Sequence, residues 1–533
     1  LSKYLNNMNA LFLTQGKGLK VFYELMLIMK KSVEFDKVGF YIADSLYYRN
    51  FKKSFNEIDS GSFYLLKEWE IVKQSTTVSI DRGILERYEN EIGSPYLWDA
   101  LVSDRRIYMG KTHTFSQDYK PRFSHEEMLK ILQVTLKSID DLFNQVRPDF
   151  ILFYEGVTIG QYLSFLFANS RKIPVLIIKP SRLRNYWNID NNILEPSENL
   201  KNTYLSFLNG EMNNEVFQLS NECIMEIKDT HARYEGTVPV SDKPPNLPRG
   251  KYLIKSLMSV IRNEFSYRFG SLKYDNHCSG FVGTYFGRYI KRPLRAKLTD
   301  IYFRSTYIKS GELSSLYYAY FPLHTEPEKT LLVLGKSYMN QIEAVRLISR
   351  NLPVGMKLIV KEHPWNIGKR PLGYYRKLLN IPNVEIADSL LTSRELLLYA
   401  KLITAISGSI SLEALICGVP VITLGLTPWN FLPKSMMRYC NNPELVGSEI
   451  RDLLNNYEYD KNVINSYVAA VIQESIPVDY WTILLGRGGY KLDHSGIYDD
   501  LDEEAIRNKK MIEFSNYILD RYRKIKSIQN TNS

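Results

Sequence analysis

Cysteine is scarce: the 533 residues hold four, Cys223, Cys278, Cys417 and Cys440, widely separated and without CxxC spacing. That excludes a disulfide scaffold and a cysteine-ligated zinc site, and it is the usage of a reduced, cytoplasmic protein. Histidine is also sparse, at seven, and the carboxylates are scattered, so no metal and no cofactor is expected. The amino end lacks the charged, apolar and small-residue order of a signal peptide. The most apolar long stretch, 414–433, is broken by "CGVP", "LGL" and "TPW", so nothing is expected to span a membrane. Internal repeats and low-complexity tracts are missing, which excludes solenoid and fibrous architectures.

What is present is ample apolar material: 44% hydrophobic and 13% aromatic residues, enough for large cores. At about 100–200 residues per domain, the length implies more than one core. The net charge of +10 comes from 68 basic against 58 acidic residues, and 249–310 is locally rich in Lys, Arg and aromatics. Anionic partners are favoured.

Strand and helix periodicities alternate along the chain. "NALFLTQGKG" (9–18) reads as a strand and turn, "LKVFYELMLIMKKS" as a helix, and "VGFYIAD" as the next strand. The pattern returns through a helix at 126–146, "DFILFYEG", a helix "IGQYLSFLFANS" and "IPVLIIKP". This order predicts a parallel sheet with helices on both faces. From 200 to 320 the alternation gives way to basic, Tyr-rich helical segments and the Pro-rich "DKPPNLPRG". A second series then opens with "KTLLVLGKS" (329–337) as a strand, and continues through "MKLIVKEHP", "VEIAD", "LITAISGS", "ISLEALICG" and "VPVITLG". The expected fold is α/β, with two Rossmann-like parallel-sheet domains. They are placed at 1–248 and 321–485, with a basic helical connection at 249–320 and a helical tail at 486–533.

In open parallel sheets ligands lie beyond the carboxyl ends of the strands, so strand-end residues are the candidates. "LIVKEHPWN" ends an apolar run in Lys361, Glu362, His363 and Pro364; the proline holds His363 extended and stops the strand, leaving the imidazole at the ligand edge. In "ITAISGSISLEALICG", Ser407, Gly408 and Ser409 separate a strand from a helix. The exposed amides there suit an anion, and Glu413, one turn later, can accept ribose hydroxyls. Gly335, Lys336 and Ser337 resemble a phosphate turn, although a Walker motif would need glycine where Thr330 stands. Glu155, with Gly156, ends "DFILFYEG" and is a candidate base. Arg182 and Arg184 in "PSRLRN" are candidate clamps for an anionic sugar or phosphate. The triplet Asp500-Leu501-Asp502 reads as an acidic helix start rather than a metal site.

Four stretches together, "FPLHTEPEKTLL", "LPVGMKLIVKEHP" after a helix with Gln341, "IPNVEIAD" and "SGSISLEALICGVPVITLG", resemble the bacterial capsule and surface polysaccharide biosynthesis family with its Kdo (3-deoxy-manno-octulosonic acid) transferase-like proteins. They span roughly 320–425; the N-terminal half matches in outline and in "YEG". That family is similar to bacterial CMP-sugar sialyltransferases, in which a His-Pro motif holds the nucleotide phosphate, a Ser-rich motif follows, and an acidic-acidic-Gly motif supplies the base. The resemblance implies a GT-B-like architecture in which the two domains face a cleft, 1–248 as the acceptor domain and 321–485 as the nucleotide-sugar domain, and it assigns the phosphate to His363 with Pro364, and to Ser407 with Ser409. Tyr154 stands where the first acid would be, leaving Glu155 and Gly156. His324, Glu326 and Glu328 resemble the family's segment entering the second domain, which implies that they face the cleft; His324 and Glu326 are the next candidates for the base.

These readings lead to a metal-independent glycosyltransferase that moves a CMP-activated acidic sugar such as Kdo from its nucleotide to a glycan or lipid-linked acceptor. It is expected in the cytoplasm, with peripheral contact to the inner face of the membrane and no nucleic acid partner. The rival enzyme is a sugar-nucleotide 2-epimerase, which needs no acceptor. The non-enzymatic rival is an anionic-polymer binder using 249–310, a region without a recognisable RNA-binding or helix-turn-helix signature.

Overall fold

The computed structural model describes residues 7–93, 97–109, 121–194, 196–230, 234–235, 251–278, 280–389, 391–487 and 502–531. The segment "DKPPNLPRG" and two members of the acidic triplet, Asp500 and Leu501, lie outside them.

The first sheet is built on β1 (Met8–Thr14), β2 (Phe35–Ile42), β3 (Tyr64–Lys67), β4 (Phe150–Tyr154), β5 (Val175–Pro180) and β6 (Tyr186–Asp190). Strands β3-β2-β1-β4-β5 run parallel, and β6 turns back antiparallel at the edge. Residues 10–13 of β1 and 150–153 of β4 are buried in succession, the pattern of strands covered on both faces. One cover is the helix His125–Val146, started by a capping box in which Ser124 and Glu127 satisfy each other's backbone amides. Its buried Met128, Ile131, Thr135, Ile139 and Leu142 recur at helical spacing.

The second sheet comprises β7 (Tyr318–Pro322), β8 (Lys357–Lys361), β9 (Val384–Ile386), β10 (Leu402–Ala405), β11 (Val421–Thr423) and β12 (Met437–Tyr439), in the all-parallel order β12-β11-β10-β7-β8-β9. The protein is thus an α/β molecule with two parallel-dominated sheets. Each reverses its winding direction at one point, between β1 and β4 and between β7 and β10. Connections leave in opposite directions there and open a crevice at the carboxyl ends.

Three features differ from the sequence reading. "TLLVL", expected to open the second series as a strand, is a π-helical turn at Thr330–Leu334; the strand is the earlier "YAYFP". Four consecutive apolar residues do not distinguish a buried strand from a buried turn. This turn joins two cores, with Leu331 in that of the second sheet and Val333 and Leu334 in that of the first. Helices Glu198–Leu208 and Asn214–Thr230, expected inside the domain 1–248, place Leu200, Tyr204, Val216 and Ile224 against Ile464 and Tyr467 beneath the second sheet. The chain also returns before residue 485. Strand β13 (Ser475–Pro477) pairs antiparallel with β6, and helix Glu503–Thr531 buries Phe514, Ile518 and Tyr522 against Phe12 and Phe150. The carboxyl end is therefore part of the first domain, because its apolar face completes that sheet's cover.

Candidate active site

Both crevices open into one cavity of about 550 Å³, lined from the first sheet by Gln15, Glu155 and Arg182 and from the second by His324, His363 and Ser407. Each of these residues follows a strand. Eight of the candidates read from the sequence meet here: these last five, together with Gly408, Ser409 and Glu413.

On the second-sheet side, β7 ends two residues before His324 and β10 two residues before Ser407. The adjacent strands bring the Ser407 amide to donate to His324 Nε2 at 3.3 Å. Gly408 allows this: a Cβ there would lie 3.1 Å from His324 Cε1. The Ser407 hydroxyl is occupied, donating to the Leu426 carbonyl at 2.5 Å. Ser409 makes no side-chain cap for helix Ile410–Cys417, which leaves its hydroxyl to the cavity. Among the described residues the amides of Gly408, Ser409 and Ile410 have no backbone acceptor outside regular elements, as expected at a helix start. Helix N-termini of this kind receive anions.

His363 caps the short Pro364–Asn366 turn, its Nδ1 accepting from the Trp365 amide at 3.2 Å, so Nε2 carries the proton of the neutral ring. Burial, then the neighbouring His363, Arg182 and Arg370 charges, lower the His324 pKa to about 3. Burial likewise lowers His363 to about 4. Both rings are neutral donors or acceptors at pH 7, not the imidazolium groups a phosphate site would suggest.

Beneath them lies Arg370, fully buried, which donates to Glu362, to Glu326 at 3.3 Å and to the His324 carbonyl at 2.9 Å. Tyr375 donates to the far Glu362 oxygen at 2.8 Å, and Gln341 bridges the His324 amide at 2.6 Å to the Glu326 carboxylate. Against the desolvation that lowers it, Arg370 is raised by Glu362, Tyr374 and Glu326, so it stays charged. Glu326, expected as a reserve base, belongs to this network and does not line the cavity. The cavity carboxylate of "HTEPE" is Glu328 instead, two residues on. Burial first and the Glu155 charge second raise its pKa to about 7, opposed by Arg182 and Arg105; protein surrounds it, yet it faces the solvent in the cavity. Lys361 is buried at the end of β8 and Pro364 begins the turn; neither lines the cavity.

On the first-sheet side the groups stand on left-handed backbone. Glu155 has φ 55°, Arg182 φ 65° and Arg184 φ 40°, at the turns after β4 and β5. Side chains rarely adopt this region, and its use at strand ends facing a cavity is a strain held by the surroundings. Arg182 lies over the Trp429 ring at 5.9 Å and lines the cavity. Arg184 instead pairs with Glu226 at 2.6 Å, away from it. Tyr154, stacked on Tyr480 at 5.7 Å, with Trp481 donating to its hydroxyl at 3.0 Å, forms an aromatic wall. Tyr480 and Trp481 arrive on the returning chain, Trp481 being 327 residues from the Tyr154 it bonds, so no local pattern could have announced them.

Gly335, Lys336 and Ser337 line a separate cavity of about 160 Å³, where Lys336 pairs with Asp99 at 2.6 Å. The π turn before them directs them away from the main crevice. Among the described residues, no group of three or more His, Cys, Asp or Glu is placed to hold a metal.

No family model and no curated protein matches the chain. Among solved structures it is similar to a Thermosulfurimonas dismutans KpsC beta Kdo 2,4 transferase, at 13% identity and TM-score 0.33 over 60% of this chain and 78% of that one. It is also similar to a Neisseria meningitidis UDP-GlcNAc 2-epimerase bound to UDP-GlcNAc, at 14% identity and TM-score 0.27 over 88% and 99%. A putative UDP-N-acetylglucosamine 2-epimerase from Listeria monocytogenes gives 12% identity and TM-score 0.25 over 91% and 99%. Scores this low carry no argument about chemistry, and the site is read from its own residues.

Proposed function

We propose that the chain is a glycosyltransferase that moves a sugar from a nucleotide donor, a CMP-activated acidic sugar such as Kdo, to a glycan or lipid-linked acceptor of surface polysaccharide. The observation that carries this is the cavity's division: anion-binding groups on the second-sheet side, a strained carboxylate on the first. The donor phosphate would accept hydrogen bonds from the helix-start amides at 408–410 and from His363, with Arg182 balancing its charge. Glu413 would take the ribose hydroxyls. As the acceptor oxygen bonds to the anomeric carbon, Glu155 would remove its proton, and the breaking bond's electron pair would pass to the phosphate oxygen. The charge on the departing nucleotide is assigned to the chain's own amides, imidazoles and guanidinium.

The Glu155 and Glu328 pair favours one second reading. Two carboxylates in one cavity, one held neutral to about pH 7, also suit proton transfer to and from a sugar in a 2-epimerase. Products separate the two: an epimerase converts a sugar nucleotide with no acceptor present.

The decisive experiment is a thermal-shift series with CMP, CDP, UDP, GDP and their sugars. A ligand at about 100 times its dissociation constant stabilises by about 2.7 kcal/mol. Selective stabilisation by cytidine nucleotides is expected. A flat response to the whole series would remove both enzyme readings.

A further inference from the structure

The segment 251–304 combines two features that rarely coexist on a soluble surface. Its helix Lys251–Phe269 presents Ile254, Leu257, Met258, Ile261, Phe265 and Phe269 to solvent, each between 40 and 75% exposed. Their spacing of three and four places them on one helical face. Next in the chain, Phe281–Phe286 passes through a single π turn into Arg292–Phe303. It exposes Val282, Phe286, Ile290, Leu294, Leu298 and Ile301 by 46 to 62%. The same segment holds eleven lysines and arginines against three acids, a surplus of eight in a chain whose net charge is +10.

Its other contacts bolt it to both sides of the cleft. In the connecting turn Asp275 accepts from the Ser45 amide at 2.8 Å, and Asn276 donates to Glu68 at 3.1 Å, both in the first domain. Arg292 donates to the Ile367 carbonyl at 2.9 Å and Arg295 to that of Lys369 at 3.0 Å, in the loop that follows His363. Gly368, at φ 73°, lets that loop come so close that a Cβ would overlap the Arg292 carbonyl. The segment is thus seated by its inner contacts while its apolar residues stay uncovered.

From the uncovered apolar stripes and the concentrated charge together, we propose that residues 251–304 are a docking platform for an anionic lipid bilayer, with the two stripes lying in the headgroup boundary. A second copy is disfavoured because it would oppose two surfaces that each keep a surplus of positive charge even with Arg292 and Arg295 turned inward. A nucleic acid would meet the charge but leave a dozen mostly aliphatic side chains uncovered. Among the described residues no helix is long and apolar enough to cross a membrane. The geometry is that of helices lying on the surface, with Lys255 and Arg262 flanking the stripe and reaching phosphates. Docking beside the cleft would present the cavity to a lipid-linked substrate.

The test is flotation of the full chain with vesicles of phosphatidylcholine alone or mixed with phosphatidylglycerol, at about 0.1 M and about 1 M salt. Capture by the anionic vesicles at low salt is expected, falling at least about tenfold with neutral vesicles or high salt. Lys255→Glu with Arg262→Glu and Lys297→Glu should lose about as much. Ile261→Glu with Leu294→Glu should abolish capture while thermal unfolding stays nearly unchanged, because both side chains are already more than half exposed. No capture of the native chain by anionic vesicles would overturn the proposal. So would equal capture of all variants, or a dimer in sedimentation velocity that Ile261→Glu dissociates. Nucleotide thermal shifts report on the cavity alone, so the enzyme readings and the docking platform fail separately.

Discussion

The two sides of the cavity are organised by opposite means. The second-sheet side is held from below by a buried ionic network: Arg370 ties Glu362, Glu326 and the His324 carbonyl together and leaves two uncharged imidazoles facing the cavity. The first-sheet side has Glu155 and Arg182 on left-handed backbone at strand ends, with an aromatic wall beside them. One half thus fixes its groups by side-chain electrostatics and the other by backbone conformation.

The largest expected effect strikes the network. Arg370→Met leaves two buried carboxylates without their cation, and loss of one partner of a buried pair costs about 3–5 kcal/mol. Urea unfolding should show that loss; a change under about 1 kcal/mol would mean the network does not hold the second-sheet side. Next is Glu155→Gln, expected to reduce turnover by about 10²–10⁴ with donor affinity nearly unchanged. If steady-state turnover falls less than about tenfold, Glu155 is a turn residue and Glu328 is the base to examine.

A pH titration sharpens the contrast further. Glu328 has its pKa raised to about 7, so it is neutral below that pH and adds a negative charge to the cavity above it. Nucleotide binding, measured calorimetrically, should therefore weaken as pH rises from 6 to 8 by up to about tenfold, and Glu328→Gln should flatten the curve. A native curve already flat would show the two carboxylates to be uncoupled.

His363→Ala should weaken nucleotide binding by about tenfold or less, since a hydrogen bond from a neutral ring contributes about 0.5–1.5 kcal/mol. Unchanged affinity would take the phosphate away from His363. The smallest effect is a gain: Glu155→Gly relieves the positive φ and should stabilise the fold by about 1 kcal/mol while turnover is lost. A loss of stability there would mean that the carboxylate's contacts outweigh its backbone strain.

Much of the architecture was legible locally. Strand and helix periods predicted the two winding series, and the strand-end motifs at 155, 182, 363 and 407–409 were found by asking which residues finish a parallel strand. Glu326 and Glu328 show where local reading stops. Both sit in "HTEPE", and only the folded chain decides that the first is buried with Arg370 and the second faces the cavity. Lys336 shows the same limit, since a Gly-Lys-Ser turn says nothing about which crevice the preceding residues aim it into.

By itself, then, the sequence determined the succession of elements and the chemistry placed at their ends, because hydrophobic period, proline and capping act over a few residues. Tertiary structure decided which partner each element buries its apolar face against. Residues 198–230 joined the second domain and 475–531 the first, "TLLVL" became a turn between cores, and the stripes of 251–304 found no partner within the described residues. Burial depends on contacts between residues hundreds of positions apart, and that information is not carried by any window of the chain.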